Sequence, residues 1–186
     1  GIPYAIISLV EAIRNLVASF SEMMAYGMPY ATVGEFLLGN PDYGSLCEGF
    51  HDFYSTYEMM PCGTLAVTDC SELDNMAAIM KSINDRYVFD DSLQGELQGL
   101  DGYIPVIFYD FADYVLTLCS DPVLTARFRE QLERLVPYKT HTGKFYSRAK
   151  GPLPIHTFSG ITISDPSTNP MALLKGTTSW YKATHE

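Results

Sequence analysis

A short apolar strand followed at once by an amphipathic helix is the feature that most constrains the fold of this chain. Residues 63–68, Gly-Thr-Leu-Ala-Val-Thr, predict a buried strand, and Ser71 in the polar stretch that follows is the best candidate for a helix cap. Residues 72–83 then place five apolar side chains on one helical face: Leu73, Met76, Ala77, Met80 and Ile83. A strand that leads into a helix suits an α/β sheet with a crossover connection.

Two further stretches carry apolar residues at helical spacing. Residues 45–57 form the clearest predicted helix, and its core-facing stripe consists of Leu46, Phe50, Phe53 and Tyr57. The second predicted helix has Asp110 and Asp113 on its polar side and an apolar stripe that consists of Phe108, Phe111, Val115 and Leu118. Both stripes indicate helices that pack one face against a core.

Proline marks the start of two more predicted helices. In Asp121-Pro122 a carboxylate cap precedes a proline at the first helical position. The apolar stripe of the helix that follows consists of Leu124, Phe128, Leu132 and Leu135. Asn169-Pro170 has a similar form, and it predicts a last short helix near the end of the chain.

Two regions of the second half predict further strands. Residues 136–140 and 144–148 flank His141-Thr142-Gly143, and this arrangement predicts a hairpin. Residues 154–164 alternate between apolar and polar side chains, which predicts another strand. Because strands and helices interleave along the chain, the fold class is α/β or α+β.

The chain is acidic, with 22 Asp and Glu against 12 Lys and Arg and a formal net charge of −10 over 186 residues. Such a surface repels phosphate backbones, so we expect no nucleic-acid partner. It is consistent with an acidic pocket for a basic ligand and with an acidic surface that serves solubility alone. Residues 84–102 do not match the spacing of an EF-hand loop, which favours a solvated loop over a calcium site there. We expect no membrane span, because no run of about 20 apolar residues is present.

Few residues offer nucleophilic chemistry. The four cysteines lack the CxxC spacing of zinc and redox sites. Cys70 is the best placed of them, since a helix N-terminus lowers the pKa of a thiol, and a buried structural cysteine is the alternative. His51 lies off the apolar stripe of its helix, which suits a solvated histidine better than a catalytic one. The chain contains no glycine-rich phosphate loop, no HExxH motif and no Gly-x-Ser-x-Gly motif.

Residues 17–30 resemble a segment of the clostripain-like cysteine peptidases, which belong to the caspase-like clan. In that family a strand ends in Ala-Ser-Pro-Ser/Thr-Glu, and a turn like Gly-Met-Pro-Tyr follows. The present chain reads Val-Ala-Ser-Phe-Ser-Glu and then Gly-Met-Pro-Tyr, with Phe20 in place of the usual proline. Further similar segments cover residues 9–14, 46–54, 63–74, 158–161 and 179–183. The resemblance therefore extends over nearly the whole chain from Leu9.

The resemblance implies a fold and an activity. The fold is expected to be α/β, a caspase-like sheet flanked by helices with an additional, mostly helical C-terminal part. Residues 1–70 would belong to the catalytic domain, and residues 71–186 would form an α/β extension packed on it. The activity would be cleavage of peptides or proteins after Arg or Lys, with Ser19, Ser21 and Glu22 in the wall of an acidic substrate-binding pocket.

Other properties of the family are implied only by the same resemblance. Some members depend on calcium, many cut themselves after a basic residue and so leave two associated chains, and members are secreted or attached to the cell envelope. The resemblance therefore implies an extracytoplasmic or secreted protein, and a second chain from the same precursor as a partner. No residue of this sequence fixes a calcium site.

One departure from the family pattern affects the site directly. The family's catalytic Asp-Ala-Cys motif would fall at the junction between Ser8 and Leu9, and it is absent there. The family's catalytic histidine belongs further upstream, so no residue of this chain inherits a catalytic role. Two interpretations remain. The chain is part of a processed enzyme whose Cys–His dyad lies outside these residues, or it is an inactive homologue that serves as a peptide-binding or scaffold module.

Overall fold

The structure is a computed structural model, and it describes residues 43–58, 61–147 and 150–186. Within these ranges the helices are α1 (Tyr43–Thr56), α2 (Leu73–Asn84), α3 (Phe111–Leu118), α4 (Pro122–Leu135) and α5 (Ser179–His185). The strands are β1 (Thr64–Val67), β2 (Tyr109–Asp110), β3 (Tyr138–His141), β4 (Lys144–Ser147), β5 (Gly151–Pro154) and β6 (Thr162–Ile163). Three 3₁₀ helices cover Cys70–Glu72, Asp91–Glu96 and Pro170–Thr177. None of the helices in these ranges has the length and apolar character needed to cross a bilayer.

The strands form three antiparallel pairs, β1 with β3, β2 with β6 and β4 with β5. All four residues of β1 are buried, as the sequence predicts for residues 63–68. Because β1 pairs antiparallel with β3, the crossover connection suggested by the strand–helix unit is not seen in the described residues. This pairing joins segments on either side of the boundary predicted after residue 70, and the division into two parts stays a prediction.

The predicted hairpin around residues 141–143 is wrong. Strands β3 and β4 form near their expected positions, but each pairs with a different partner. The reason lies at Thr142, whose hydroxyl accepts a hydrogen bond from the Gly63 amide at 2.8 Å and donates to the Lys144 carbonyl at 2.7 Å. These bonds hold the end of β3 against β1 and turn the chain away, so that β4 forms its hairpin with β5.

The predicted strand over residues 154–164 is also largely wrong. Within that range only Pro154, the last residue of β5, and the two residues of β6 belong to strands. Between them Gly160 has a φ of 86°, a conformation that L side chains rarely adopt. A Cβ atom built on Gly160 would lie 2.7 Å from Cγ1 of Val136 and 2.9 Å from Cβ of Ala66. The glycine therefore permits both the turn and the close approach of this loop to the core.

The main hydrophobic core lies between helices α2, α3 and α4. It contains Met76, Met80 and Ile83 of α2, Phe111 and Val115 of α3, and Leu124, Phe128, Leu132 and Leu135 of α4. The rings of Phe111 and Phe128 meet edge to face, with centroids 5.2 Å apart. A smaller cluster of Leu100, Phe145 and Ile155 lies under the β4–β5 pair. The helical spacing of the sequence thus identifies the core face of α4. For α2 it is wrong at Leu73, which is 37% exposed, and it misses the buried Ile79.

Three predicted helix starts have different outcomes. Asp121 caps α4 by accepting the amide protons of Val123 and Leu124 at 2.8 and 3.3 Å, as predicted. Asn169 caps the 3₁₀ helix that begins at Pro170, which confirms a last short helical segment there. The cap predicted at Ser71 is wrong, because Asp69 accepts both the amide and the hydroxyl proton of Ser71 and begins a 3₁₀ turn before α2.

The apolar stripes of two helices are only partly correct. Phe53 of α1 is 56% exposed, whereas Tyr54 and Cys47, seven residues apart, are buried among the side chains of α1 that the structure describes. Phe108 precedes α3 in an extended segment and is 45% exposed. Asp110, predicted on the polar side, is fully buried and caps α3. The strand that precedes α3 shifts the start of the helix and turns this carboxylate inward.

Asp110 and Asp121 offer a matched pair of helix caps for a stability measurement. Asp110 is fully buried and also accepts the amide proton of Ser159, so Asp110→Ala removes a cap and leaves a buried donor unpaired. We expect it to lower the free energy of unfolding by about 2–4 kcal/mol. Asp121→Ala removes a more exposed cap and should cost only about 0.5–2 kcal/mol. Urea denaturation measures both, and equal losses would contradict this account.

Gly160 and Gly151 offer a second matched pair. Both have positive φ, 86° and 72°, but a Cβ atom on Gly151 meets nothing within 4 Å. Gly151→Ala should therefore cost about 1 kcal/mol of backbone strain. Gly160→Ala adds overpacking against Val136 and Ala66 and should cost about 1–3 kcal/mol more. The midpoints of thermal unfolding of the two variants measure this difference in stability. Equal midpoints would contradict the prediction, because they would mean that Val136 and Ala66 move aside at little cost.

Candidate functional site

The three residues predicted to line a substrate pocket, Ser19, Ser21 and Glu22, lie outside the described residues. The same holds for the whole stretch 17–30 and for the junction between Ser8 and Leu9. Their roles therefore stay predictions. The described ranges contain the remaining candidates of the sequence, namely the cysteines and histidines, and they reveal a buried charged cluster beside a cavity.

All four cysteines and all four histidines of the chain lie in the described ranges. No hydrogen bond joins a thiol to an imidazole there. Burial raises the pKa of the Cys47 and Cys62 thiols, which disfavours the nucleophilic thiolate. Cys70 is exposed at the start of a 3₁₀ turn, so the interpretation as a buried structural cysteine is wrong. The described residues therefore contain no assembled Cys–His dyad.

His51 lies on the accessible side of α1, and its neighbours are local. Its Nδ1 atom is 3.4 Å from Oδ1 of Asp52, and its Nε2 atom is 3.3 Å from the hydroxyl of Ser55. Each partner comes from the same helix, and Asp52 is itself exposed. This arrangement fits the solvated histidine that the sequence predicts.

A buried carboxylate organises the loop that leads to β2. Asp101 is 4% exposed and accepts three backbone amide protons, from Tyr103 at 2.8 Å, Ile107 at 2.8 Å and Phe108 at 2.6 Å. Three such bonds satisfy the carboxylate and fix the path of the loop. The loop consequently delivers Phe108 to the rim of a cavity.

This cavity, which we call the Trp180 cavity, has a volume of about 350 Å³. Its walls are mostly apolar and come from β6, the start of α3, the end of α4 and the start of α5. The apolar lining residues are Leu73, Phe108, Phe111, Leu135, Ile161, Ile163 and Trp180. Polar contributions come from the segment after β6, including Asp165, and from Lys175. The volume is in the range of sites for small organic ligands.

Lys175 is held by backbone carbonyl groups rather than by a carboxylate. Its ammonium group donates to the carbonyl oxygens of Ser164 at 3.1 Å, Asp165 and Ser167 at 3.5 Å. An ammonium group has three protons, so these three acceptors occupy all of them. Burial lowers the pKa of Lys175, and the charges of Asp165 and Asp91 oppose that effect.

The side chain of Asp165 is only 7% exposed, and its buried Oδ2 atom has no hydrogen-bond partner among the described residues. Its nearest charged neighbour is Nε2 of His185, at 3.8 Å from Oδ2. Burial raises the pKa of Asp165, and the cationic forms of His185 and Lys175 only oppose this. Burial likewise raises the pKa of Tyr114, and the charge of Asp165 adds to the effect.

The hydrogen bonds of His185 explain why it does not satisfy Asp165. Its Nδ1 atom is 3.1 Å from the carbonyl oxygen of Tyr181, which can only accept, so Nδ1 carries the proton. Its Nε2 atom is 3.3 Å from the side-chain amide nitrogen of Asn84, which donates. The Nε2 atom therefore faces the amide of Asn84, and it lies 3.8 Å from Oδ2 of Asp165, beyond hydrogen-bonding distance.

The sequence gives little sign of this cluster. Asp165 precedes Pro166 and has the character of an ordinary turn, and Lys175 lies in a polar stretch near the end of the chain. The side chain of Asp165 becomes buried, and that of Lys175 partly buried, only when both segments fold against α5. No group of three or more His, Cys, Asp or Glu in the described ranges could hold a metal ion, so no calcium ligands are assigned there.

The comparisons with known proteins decide the family. No protein-family model matches the chain, and no curated protein does. Among solved structures, a clostripain from Bacteroides thetaiotaomicron in complex with the peptide inhibitor BTN-VLTK-AOMK is 62% identical to it. The match covers 87% of this chain and 72% of that one, with a TM-score of 0.78. The chain belongs to the clostripain-like, or C11, family of cysteine proteases.

Two further C11 proteases are longer than this chain. A secreted C11 cysteine protease from B. thetaiotaomicron, called iotapain, is 62% identical over 87% of this chain and 46% of its own, with a TM-score of 0.78. An inactive zymogen C11 protease from Parabacteroides distasonis is 27% identical over 76% of this chain and 43% of its own, with a TM-score of 0.64. This chain spans less than half the length of these two relatives.

Membership of the C11 family confirms the resemblance found in the sequence and the predicted α/β, caspase-like fold class. A Bacteroides fragilis cysteine protease that is 18% identical has the same fold, with a TM-score of 0.68. The mixed helices and small antiparallel sheets of the described residues match this architecture. The role of the chain is therefore related to proteolysis.

Asp165 predicts an unusual effect of pH on stability. A carboxyl group whose native pKa is raised keeps its proton in the folded state where the unfolded chain has released it. Its stabilising contribution is present at low pH and is lost as pH rises from the ordinary aspartate range, about pH 4, through the raised native pKa. At neutral pH the group therefore lowers stability.

We expect Asp165→Asn to raise the free energy of unfolding at about pH 7 by about 0.5–2 kcal/mol, the range of single stabilising substitutions. The gain should shrink toward about pH 4, where the unfolded wild-type carboxyl also begins to bind a proton. Urea denaturation at both pH values measures it, with Asp74→Asn on the exposed side of α2 as the control. A variant that is less stable than the wild type at neutral pH would contradict the assignment.

Proposed function

We propose that this chain is part of a cysteine endopeptidase that cleaves peptide bonds after Lys or Arg. The observation that carries the proposal is the 62% identity with a clostripain bound to BTN-VLTK-AOMK, an inhibitor whose peptide part ends in K, lysine. A family member of this similarity accepts a basic residue next to the reactive group. The acidic composition of the present chain is compatible with the same preference.

The pocket for the basic side chain is proposed to draw on Ser19, Ser21 and Glu22. A carboxylate provides the charge that a lysine or arginine side chain needs when it leaves water, and hydroxyl groups accept its remaining protons. Glu22 would supply the charge, and the two serines would orient the cationic group. This assignment rests on the resemblance of residues 17–30 to the corresponding segment of the family.

The catalytic dyad is proposed to lie outside these 186 residues. In the described ranges no thiol is hydrogen-bonded to an imidazole, and the Asp-Ala-Cys sequence of the family is absent from the chain. The proposed reaction is the ordinary one of cysteine peptidases. A thiolate attacks the scissile carbonyl carbon, a histidine protonates the leaving amine, and water then hydrolyses the thioester.

A second chain from the same precursor is proposed as the source of the dyad. The resemblance of the sequence to a family whose members often cut themselves after a basic residue supports this proposal. The description of iotapain as secreted supports an extracytoplasmic location for the present protein.

The alternative is a catalytically inactive member that binds peptides or serves as a scaffold. The absence of the Asp-Ala-Cys sequence favours it. One measurement on the full gene product distinguishes the two functions. It is the hydrolysis of fluorogenic peptides that end in Lys or Arg, with a peptide that ends in Asp as the control. Turnover of the Lys and Arg peptides that is abolished by thiol alkylation supports the endopeptidase. Binding of the same peptides without turnover supports the module.

The role of Glu22 is tested in the active, complete enzyme. Glu22→Gln removes the proposed charge but keeps the size of the side chain, so kcat/KM for Lys and Arg peptides should fall by about 10- to 100-fold. Glu130→Gln, on the exposed face of α4, is the matched control and should leave kcat/KM within about twofold of the wild type. Equal activity of the Glu22 variant and the control would remove Glu22 from the pocket.

A further inference from the structure

The proposed peptidase mechanism does not use the Trp180 cavity. The cavity combines two properties that are rarely left together without a ligand. Its walls are apolar and aromatic, and one wall includes Asp165, a residue with a buried side chain whose Oδ2 atom has no hydrogen-bond partner among the described residues. A buried carboxylate without a partner costs free energy, so its retention needs an explanation.

The nearby groups do not provide that explanation. Lys175 gives its three protons to the carbonyl oxygens of three residues in the segment 164–167, and none of them reaches the Asp165 carboxylate. The Nε2 atom of His185 lies 3.8 Å from Oδ2 of Asp165, beyond hydrogen-bonding distance, and it is closer to the side-chain amide of Asn84, at 3.3 Å. The Oδ2 atom of Asp165, a residue of the cavity lining, thus keeps an unused capacity to accept a hydrogen bond.

The walls indicate what the rest of such a ligand would be. The rings of Phe111 and Trp180 meet at 79° with centroids 6.0 Å apart, and Ile161 lines the same space. At the rim, Leu73 and Phe108 are 37% and 45% exposed, which leaves the cavity open to solvent. Aromatic and aliphatic walls favour an apolar body, and aromatic faces also attract a cation.

We propose that the Trp180 cavity is a binding site for a small primary amine carried on an aromatic or aliphatic body, with Asp165 as the counter-ion of its ammonium group. The volume of about 350 Å³ accommodates a single ring with a short side chain. The same chemistry is found in a free arylalkylamine and in the amino terminus of a peptide that begins with an apolar residue. Occupation of this site does not depend on peptidase activity.

The single tryptophan of the chain makes binding directly observable. Trp180 is the only tryptophan in the sequence, so its fluorescence reports on this cavity alone. Titration of the protein with 2-phenylethylamine should give a saturable change in that fluorescence. The neutral 2-phenylethanol, which has the same body, should bind at least about tenfold more weakly, because it cannot pair with the carboxylate.

Two variants test the role of the carboxylate. Asp165→Asn should weaken binding of 2-phenylethylamine by at least about tenfold and leave binding of 2-phenylethanol nearly unchanged. Asp74→Asn, on the exposed side of α2, is the matched control and should bind the amine as the wild type does. Circular dichroism verifies that each variant is folded, and the comparison of amine with alcohol on the wild type needs no variant.

A third arm separates the two sources of the amine. The dipeptide phenylalanylglycine amide presents the same ring and ammonium group at a peptide amino terminus. Saturable binding of the dipeptide with an affinity within about tenfold of the amine assigns the site to peptide amino termini, and binding of the amine alone assigns it to free amines. The proposal is overturned if the amine gives no saturable change, or if the alcohol binds as tightly as the amine. These outcomes are independent of whether the complete protein cleaves Lys or Arg peptides.

Discussion

The carboxylate of Asp110 connects the parts of the described structure more directly than any apolar contact does. It is fully buried, it caps α3 through the amide of Asp113, and it also binds the amide of Ser159. Ser159 in turn accepts the amide proton of Ala112 and donates its hydroxyl proton to the carbonyl of Ile161. Burial raises the pKa of Asp110, and the hydrogen bonds to its oxygens offset that effect. One side chain therefore fixes the start of a core helix and the loop before β6.

This arrangement also determines the shape of the Trp180 cavity. Phe111 and Ile161 line the cavity, and each is next to a group in the Asp110 network. Asp101 performs a comparable task on the other side by holding the loop that ends at Phe108. The cavity is thus bounded by segments that buried carboxylates hold in place. Asp165 differs from these two carboxylates, because it is buried at the cavity wall without such bonds.

The helices of the core could be predicted from the sequence because their information is local. The spacing of Leu124, Phe128, Leu132 and Leu135 and the Asp121-Pro122 start define α4 without reference to any other segment. Strand pairing could not be predicted in the same way. Thr142 directs β3 toward β1 through bonds to Gly63, a residue 79 positions away, and no local pattern encodes that choice. The burial of Asp110 and Asp165 could not be predicted either. A carboxylate is ordinarily a surface residue, and only contacts with distant segments bury these two. The family, by contrast, was found from the order of short segments, although residues 17–30 lie outside the described ranges.

The pairing of β1 with β3 has a consequence for the synthesis of the protein. Thr64 lies opposite His141, so Thr64 leaves the ribosome 77 residues before the residue that it pairs with in the described structure. At ordinary rates of translation the interval is roughly 4–15 s. During that time the mostly apolar strand β1, Thr64–Val67, lacks this partner along one edge, and an unpaired strand edge can pair with other chains. The growing chain therefore has reason to be shielded by a chaperone until β3 has emerged.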